Sequence, residues 1–520
     1  MGPPPSAMDS TDDSNAMSTM RINLSNLTLS SSSSDPYNPN TLPIHADNVL
    51  PAGRVPFGRP MRSLFNFAQS YHPLNHGSYG TFPRYVLEHK IQKLREFESR
   101  PSVYRTFVYP AELHHSRSLV APFLGADIDE IVLVPNATTG INTVLRNILP
   151  GYGENDVVVF PSSIYPSCWN TLRSVQEEMS GNGKKGFELV EMKLDHPITD
   201  DKLVELFTQT VERLTKEGKK VRLAIFDTIV SGPGVRVPWE ALVAECKKLG
   251  VKSLIDGAHG IGHIDLTETG KSVRPDFMVT NCHKWLFVPR GCAVLYVPFE
   301  NQDLIKTALP TSHGYLAPEV RGHDREDEHG GNIFAGEWQG RGGEKGKWSE
   351  YFMNLFVDVA TVDCSSYTCI EAAIEFREKV CGGEEAIREY CFRLAYQGGN
   401  RAAEILGTEV MDVSDITGYG NLRRCNFANV RLPLTVVRKG DTAGQGDVAE
   451  EDIRAVVVWI YRTCARDYDT YLQTFFIGGH VWTRFSAQIY LEVSDFEWGA
   501  RTLLEICERV KKGEWKGVRL

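Results

Sequence analysis

Two segments of the chain decide its fold: Ser253-Leu-Ile-Asp-Gly-Ala-His259 and Phe277-Met-Val-Thr-Asn-Cys-His-Lys-Trp-Leu-Phe287. Each begins with an apolar run of the length of a buried β-strand. The first run ends in Asp256, and the second leads to Lys284, 28 positions later. If both strands lie in one parallel sheet, this acid and this amine meet at the same edge. The pair therefore predicts a ligand pocket at the ends of the strands.

The surrounding sequence alternates between strand-like and helix-like patterns. Ligands of sheets built from such units lie at the carboxyl ends of the strands, where Asp227 also falls. The alternation indicates an α/β fold with a mostly parallel sheet that is covered by helices on both faces. Strands are predicted at 130–135, 157–160, 221–229, 252–256, 277–281 and 292–297, and helices at 141–148 and 239–249.

Composition divides the chain into four regions. Residues 1–50 form a Ser- and Pro-rich tail with too few bulky apolar side chains to offset the entropy lost on ordering, so we expect it to be disordered. Residues 51–110 are expected to pack near the ligand pocket, residues 111–365 to form a large domain, and residues 366–520 a smaller α+β domain. Two Gly- and charge-rich stretches, 319–347 and 441–452, are predicted to be surface loops.

The overall composition argues against several classes of function. The 520 residues are 42% hydrophobic, which is enough for a sizeable core, and the net charge of −10 disfavours nucleic acid or an anionic membrane as partner. No apolar run approaches the roughly 18 residues that span a bilayer. Eleven cysteines without a Cys-x-x-Cys pair are typical of a reduced, cytoplasmic protein. His114 and His115 lack further ligands at metal spacing, so no metal site is expected.

Lys284 and Asp256 together indicate one cofactor. A lysine that follows an apolar strand is expected to be buried, which lowers its pKa and makes the amine a nucleophile or a base. A buried carboxylate, in turn, needs a cationic partner. Pyridoxal phosphate (PLP) satisfies both, because its aldehyde forms a Schiff base with a lysine and its ring nitrogen stays protonated beside a carboxylate. The alternatives are a solvated charge for Lys284 and a turn cap for Asp256.

The segment Asn136-Ala-Thr-Thr-Gly-Ile-Asn142 joins a predicted strand to a predicted helix. The N–H groups at the start of a helix and the positive end of its dipole favour a phosphate. Ala137 would supply a backbone N–H and Thr138 a hydroxyl group. Taken alone, the segment is an ordinary helix N-cap; beside the acid and the lysine, it is predicted to bind the cofactor's phosphate.

Together these motifs resemble the class V aminotransferase family of fold-type I PLP enzymes, and within it the isopenicillin N epimerase-like branch. The resemblance covers residues 60–515 and implies a seven-stranded, mostly parallel sheet, an amino-acid substrate and a homodimer. It rests on Asp256-Gly-Ala-His259, Asn281-Cys-His-Lys-Trp285, Asn136-Ala-Thr-Thr-Gly140, Leu74-Asn-His-Gly-Ser-Tyr-Gly80 and Arg484-Phe-Ser-Ala-Gln-Ile-Tyr490.

The resemblance implies roles for the residues around the cofactor ring and its phosphate. Lys284 would form the Schiff base, Asp256 would pair with the ring nitrogen, and His259 would contact the phenolic oxygen or the ring. Tyr165 would lie over the face of the cofactor, unless it is a core aromatic residue. The phosphate would be bound by Thr138, Asn281 and His283.

The resemblance also implies a substrate contact and a subunit contact. Arg484 would bind the substrate α-carboxylate, since a planar guanidinium can donate two parallel hydrogen bonds to that anion. Asn75 and His76 would line the same end of the pocket. Thr361 matches a residue that reaches the phosphate of the neighbouring subunit, although the glycine that precedes it in the family is replaced here by Ala360.

The reaction depends on what leaves the substrate after Lys284 has removed its Cα proton. Persulfide-forming desulfurases use a cysteine on a mobile loop, and residues 319–347 contain none. The leading hypothesis is therefore β-elimination from a cysteine S-conjugate such as hercynylcysteine sulfoxide, with Tyr165 donating a proton to the leaving sulfur. The alternatives are an amino-acid epimerase, a cysteine desulfurase-like enzyme and a PLP-fold protein that has lost activity.

Overall fold

The computed structural model describes residues 50–181, 186–318, 348–413, 421–438 and 444–516. The predicted tail, apart from residue 50, and the predicted loop at 319–347 lie outside these residues. The second predicted loop is described from residue 444, where it contains a short strand and a turn of 3₁₀-helix. No described helix combines the length and the apolar character that crossing a membrane requires.

In the described part of the chain, the strands form one large sheet and three small ones. The large sheet has seven strands in the order β1-β9-β8-β7-β4-β2-β3; β9 runs antiparallel to both its neighbours, and the remaining pairs are parallel. The strands are β1 (Ile131–Val134), β2 (Asp156–Pro161), β3 (Glu188–Met192), β4 (Lys220–Asp227), β5 (Ile229–Val230), β6 (Val235–Arg236), β7 (Lys252–Asp256), β8 (Phe277–Asn281), β9 (Ala293–Tyr296), β10 (Phe427–Arg431), β11 (Val436–Val437), β12 (Val448–Ala449), β13 (Gln473–Ile477) and β14 (His480–Ser486).

Helices connect these strands and cover the sheet. They are α1 (Arg59–Arg62), α2 (His76–Tyr79), α3 (Arg84–Ser99), α4 (Pro101–Val103), α5 (Tyr109–Leu124), α6 (Ala137–Ile148), α7 (Pro166–Gly181), α8 (Asp200–Lys216), α9 (Trp239–Leu249), α10 (Cys282–Trp285), α11 (Ser349–Val357), α12 (Ile370–Lys379), α13 (Glu384–Leu406), α14 (Ile453–Tyr468) and α15 (Val493–Lys511). The predicted α/β architecture with a mostly parallel sheet is confirmed.

The strands of the large sheet are buried on both faces. Val157 and Val159 pack into one hydrophobic core, while Val158 and Phe160 pack into a second core on the opposite face. Parallel strands that are covered by helices on both sides need apolar residues at every position. This is why the sequence shows continuous apolar runs at these strands rather than alternation.

A second sheet carries the C-terminal part of the chain. Its strands β10, β14 and β13 are antiparallel, with α13 packed against β10 and α14 against β13. In this register Arg484 of β14 lies between Asn429 and Gln473. The division into a large and a small domain near residue 365 stays a prediction.

Two predicted strands need correction, and one strand was not predicted. The strand expected at 221–229 ends at Asp227, and Ile229 belongs to the separate hairpin β5–β6. The strand expected at 292–297 spans Ala293–Tyr296, so the buried Cys292 precedes it. Strand β3 was not predicted.

Candidate active site

The carboxyl edge of the large sheet brings together an amine and two acids. Asp256 and Asp227 are the last residues of β7 and β4, and their Cα atoms are partners in the parallel register. Lys284 follows β8 in α10, and β8 pairs with β7. The carboxyl groups are buried, with relative exposures of 4% and 6%, whereas Lys284 is only partly buried. This arrangement forms the centre of the candidate site.

Asp256 has hydrogen-bond donors on both carboxylate oxygens. The Ala258 N–H donates to Oδ1 at 3.0 Å, and the thiol of Cys168 donates to Oδ2 at 3.3 Å. Burial raises the pKa of Asp256, and these two hydrogen bonds and the charge of Lys284 act in the opposite direction. The carboxylate is therefore prepared for a cationic partner, since an unmatched buried anion is costly.

The hydrogen bonds of His259 determine the state of the Lys284 amine. The Trp285 indole N–H donates to His259 Nδ1 at 3.1 Å, so in the neutral ring the proton resides on Nε2. Nε2 lies 3.2 Å from Lys284 Nζ, so with this tautomer the unprotonated form of the amine can accept a hydrogen bond from it. Burial lowers the pKa of Lys284 to about 8 and that of His259 well below its usual value. A neutral amine at this position can act as a nucleophile or a base.

The backbone of Lys284 is held by the N-terminal segment 74–80. His76 Nε2 donates to the Lys284 carbonyl at 2.5 Å, so its Nδ1 accepts from the Tyr490 hydroxyl at 2.8 Å. Burial lowers the pKa of His76 to about 3, which keeps the ring neutral. Both nitrogens are engaged, so this geometry favours support of Lys284 over the substrate contact that the resemblance implied for His76.

Gly80 passes close to the same backbone. Its φ is +65°, and a Cβ atom there would lie 2.0 Å from the His283 carbonyl oxygen. Only glycine combines this left-handed conformation with so close an approach. The segment 74–80 is thus fitted to the chain that carries Lys284.

The residues predicted at the phosphate meet at the start of α6. Asn281 Oδ1 accepts from the Ala137 N–H at 2.8 Å, so this donor, expected at the phosphate, is engaged by a side chain. Thr138 lies exposed in the first turn of α6. His283 Nδ1 donates to the Cys292 carbonyl at 3.0 Å, and burial lowers the pKa of His283 to about 4. The site thus presents a helix start, a hydroxyl and an imidazole.

Arg484 is a buried cation without a carboxylate partner among the described residues. Its guanidinium donates to the Ser231 carbonyl, to Asn75 Oδ1 at 3.0 Å and to Ser78 Oγ at 3.2 Å, and it lies 4.3 Å from the ring centroid of Phe427. Its Nε has no partner, and burial lowers the pKa of Arg484 to about 10. A substrate carboxylate would supply the missing charge.

The two remaining predicted residues lie on the surface. Tyr165 precedes α7, three residues before Cys168, and its side chain is 41% exposed, which excludes the alternative of a core aromatic residue. Thr361 is exposed in a segment in which Ala360 adopts a φ of +99°. Among the described residues, no hydrogen bond or ion pair links Thr361 to the rest of the site.

Several site residues were not assigned from the sequence. Cys168 contacts Asp256, Trp285 orients His259, and Tyr490 orients His76. Asp227 was recognised as a residue at a strand end but was given no role. Only Asp227 carried a usable signal, because it is the terminal acid of an apolar run; the other three depend on contacts between distant parts of the chain.

The chain is similar to several known proteins. The family model described as aminotransferase class-V matches residues 83–319. An L-cysteine desulfhydrase-like protein of Epichloe uncinata is 36% identical over 467 residues, covering 89% of this chain and 98% of that protein. The hercynylcysteine sulfoxide lyase of Schizosaccharomyces pombe is 31% identical over 451 residues, covering 87% and 98%. Among solved structures, the cystine C–S lyase C-DES in complex with cysteine persulfide shares the fold, with a TM-score of 0.61 at 17% identity over 84% of this chain and 98% of that one.

Proposed function

The chain belongs to the class-V aminotransferase family of PLP-dependent enzymes, and from this premise we propose that it is a C–S lyase that cleaves a cysteine S-conjugate by β-elimination. The observation that carries the proposal is the Lys284 amine, whose pKa is lowered to about 8, in one site with a buried acid and a buried arginine that has no carboxylate partner among the described residues. The amine can bind an aldehyde and later accept a proton. The arginine selects for a carboxylate.

The residues present fit the cofactor. Asp256 is a buried carboxylate that forms no ion pair with any described residue, Lys284 is a partly accessible amine, and the start of α6 offers Thr138 to a phosphate. When bound, PLP withdraws electrons from the Cα atom of an attached amino acid, and a protonated ring nitrogen beside a carboxylate strengthens this effect. These observations support Lys284 and Asp256 as the residues that hold the ring.

Arg484 would orient the substrate. Its guanidinium already has Asn75, Ser78 and Ser231 as neutral partners, so an incoming α-carboxylate meets a positioned cation in a desolvated pocket. Charge-assisted hydrogen bonds are strongest in such surroundings. Arg484 would thereby place the Cα–H bond near Lys284. Because the pKa of Lys284 is lowered to about 8, a fraction of its amine is unprotonated at neutral pH and can accept the proton.

The exposed phenol of Tyr165 is the proposed proton donor to the leaving sulfur. Donation of that proton allows the Cβ–S bond to break with the electron pair going to sulfur, and the three-carbon product hydrolyses to pyruvate and ammonia. Hercynylcysteine sulfoxide is the proposed substrate, which would place the enzyme in ergothioneine biosynthesis; the 31% identical lyase supports this choice. A second candidate is L-cysteine, supported by the 36% identical desulfhydrase-like protein.

Pyruvate release from the purified holoenzyme tests the proposal. We expect hercynylcysteine sulfoxide to give pyruvate faster than L-cysteine does, and Lys284→Ala to abolish the release. Lys248→Ala, a surface variant on α9, is the matched control and should retain full activity. Inversion of Cα without pyruvate would instead indicate an epimerase, and pyruvate release by Lys284→Ala would refute the proposed role of the lysine.

A further inference from the structure

Asp227 and Asp256 are neighbouring buried acids, and their carboxylates would repel each other if both were ionised. The two residues are in register on neighbouring parallel strands, which are about 4.8 Å apart, so both side chains point to the same face of the sheet. Both are more than nine-tenths buried. Two carboxylates this close in a buried site cannot both be ionised at little cost. One of them must therefore hold a proton.

The hydrogen bonds distinguish the two acids. Asp256 receives an N–H from Ala258 and an S–H from Cys168, and both donors stabilise an anion. The side chain of Asp227 forms no hydrogen bond and no ion pair with any described residue. It instead lines a cavity whose other walls are mostly apolar, including Leu194, Phe226, Val230 and Val235. The asymmetry places the negative charge on Asp256 and the proton on Asp227.

The remaining charged groups around Asp227 do not change the assignment of the proton to Asp227 and the negative charge to Asp256. Arg236 of β6 lines the same cavity, but it pairs with Glu240 at 2.9 Å. Burial lowers the pKa of His196 to about 4, so this imidazole is neutral. The other titratable groups that face the acid pair or the cavity are Lys284 of α10, Cys168 of α7 and Asp200 of α8.

We propose that Asp227 is a positioning residue that keeps its proton beside Asp256, so that the buried pair carries a single negative charge, located on Asp256. The pair then matches the single positive charge of a protonated cofactor ring. In agreement, burial and then repulsion by Asp256 raise the pKa of Asp227 well above its usual value. This inference rests on the PLP cofactor of the proposed function but not on the substrate or on C–S cleavage.

Infrared spectroscopy of the holoenzyme at neutral pH tests the protonation directly. The wild-type protein should show the C=O stretch of a buried protonated carboxylic acid, and Asp227→Asn should lose it. Asp200→Asn, which removes another acid of the same cavity, is the matched control and should retain the band. The absence of the band in the wild-type protein, or its persistence in Asp227→Asn, would overturn the proposal.

Cofactor affinity provides a second readout. Asp227→Asn removes no charge and should change the dissociation constant of PLP little, whereas Asp256→Asn should weaken binding strongly. In Asp256→Asn the remaining acid is free to ionise, so adding Asp227→Asn should weaken binding by about a further 10-fold. An equal loss in both single variants, or no further loss in the double variant, would contradict the shared charge.

These outcomes are independent of the catalysed reaction. A protein that loses the infrared band in Asp227→Asn but cleaves no cysteine S-conjugate would refute the lyase and retain this inference. If Asp256→Asn fails to fold, as judged by circular dichroism, the infrared comparison of Asp227→Asn with Asp200→Asn still decides the matter.

Discussion

The chemistry of this site depends on which of its residues hold protons. Lys284 accepts a hydrogen bond from His259, and Asp256 accepts from Ala258 and Cys168. The sequence was sufficient to predict that Lys284 and Asp256 lie at the same edge of the sheet, because each marks the end of an apolar strand; their roles toward the cofactor stay a prediction. It was not sufficient for Cys168, since a cysteine in an amphipathic helix has the same pattern whether it contacts a carboxylate or only other apolar side chains.

The lowered pKa of Lys284 predicts how the reactivity of this lysine depends on pH in the cofactor-free protein. An amine reagent attacks only the neutral form, so its rate of reaction with Lys284 should rise with pH and reach half its maximum at about 8. Mass spectrometry of peptides from the modified protein would measure this rate. Lys248, a surface lysine, is the internal comparison. A midpoint for Lys284 near that of an ordinary lysine would disagree with the hydrogen bond from His259.

Among the elements, the segment 74–80 contacts both Arg484 and the backbone around Lys284. Asn75 does contact Arg484, at the substrate end of the site, but His76 and Gly80 support the backbone around Lys284. The helix α9 has the bounds predicted from its apolar spacing. Strand β3 was not predicted from the sequence. It lies at the edge of the sheet, and Glu188 and Glu191 interrupt its five-residue apolar run.

Replacement of Gly80 tests the fit of this segment. Gly80→Ala should lower the free energy of unfolding by more than about 1 kcal/mol, because the left-handed backbone and the nearby His283 carbonyl both reject a Cβ atom. Urea denaturation of the cofactor-free protein would measure the loss. Gly151→Ala is the matched control, since open space surrounds that glycine. Equal stability of the two variants would show that the segment is not held against Lys284.

On the scale of the whole molecule, the homodimer stays a prediction, and exposed apolar side chains are the positions at which it can be tested. Tyr79 is 74% exposed, Phe107 55% and Val362 50%. Tyr79 follows Ser78, which contacts Arg484, so part of this surface borders the substrate end of the site. A contiguous apolar patch marks an interaction surface, whereas single exposed apolar side chains are common on any protein. The sequence suggested a subunit contact at Thr361 only through its resemblance to a family, because no pattern within one chain reports a neighbour.

Light scattering coupled to gel filtration tests the oligomeric state. We expect a particle of twice the 58.2 kDa chain mass for the wild-type protein, and a shift toward the single-chain mass on dilution for Val362→Asp. A charged side chain is costly to desolvate at an apolar interface. A wild-type mass equal to that of one chain would refute the dimer.

The hydrogen bond between Asn75 and Arg484 joins residues that are 409 positions apart. During translation, Asn75 leaves the ribosome long before Arg484 is synthesised. Translation must therefore be nearly finished before the guanidinium can reach its amide, so this end of the pocket is completed only after strand β14 has been synthesised.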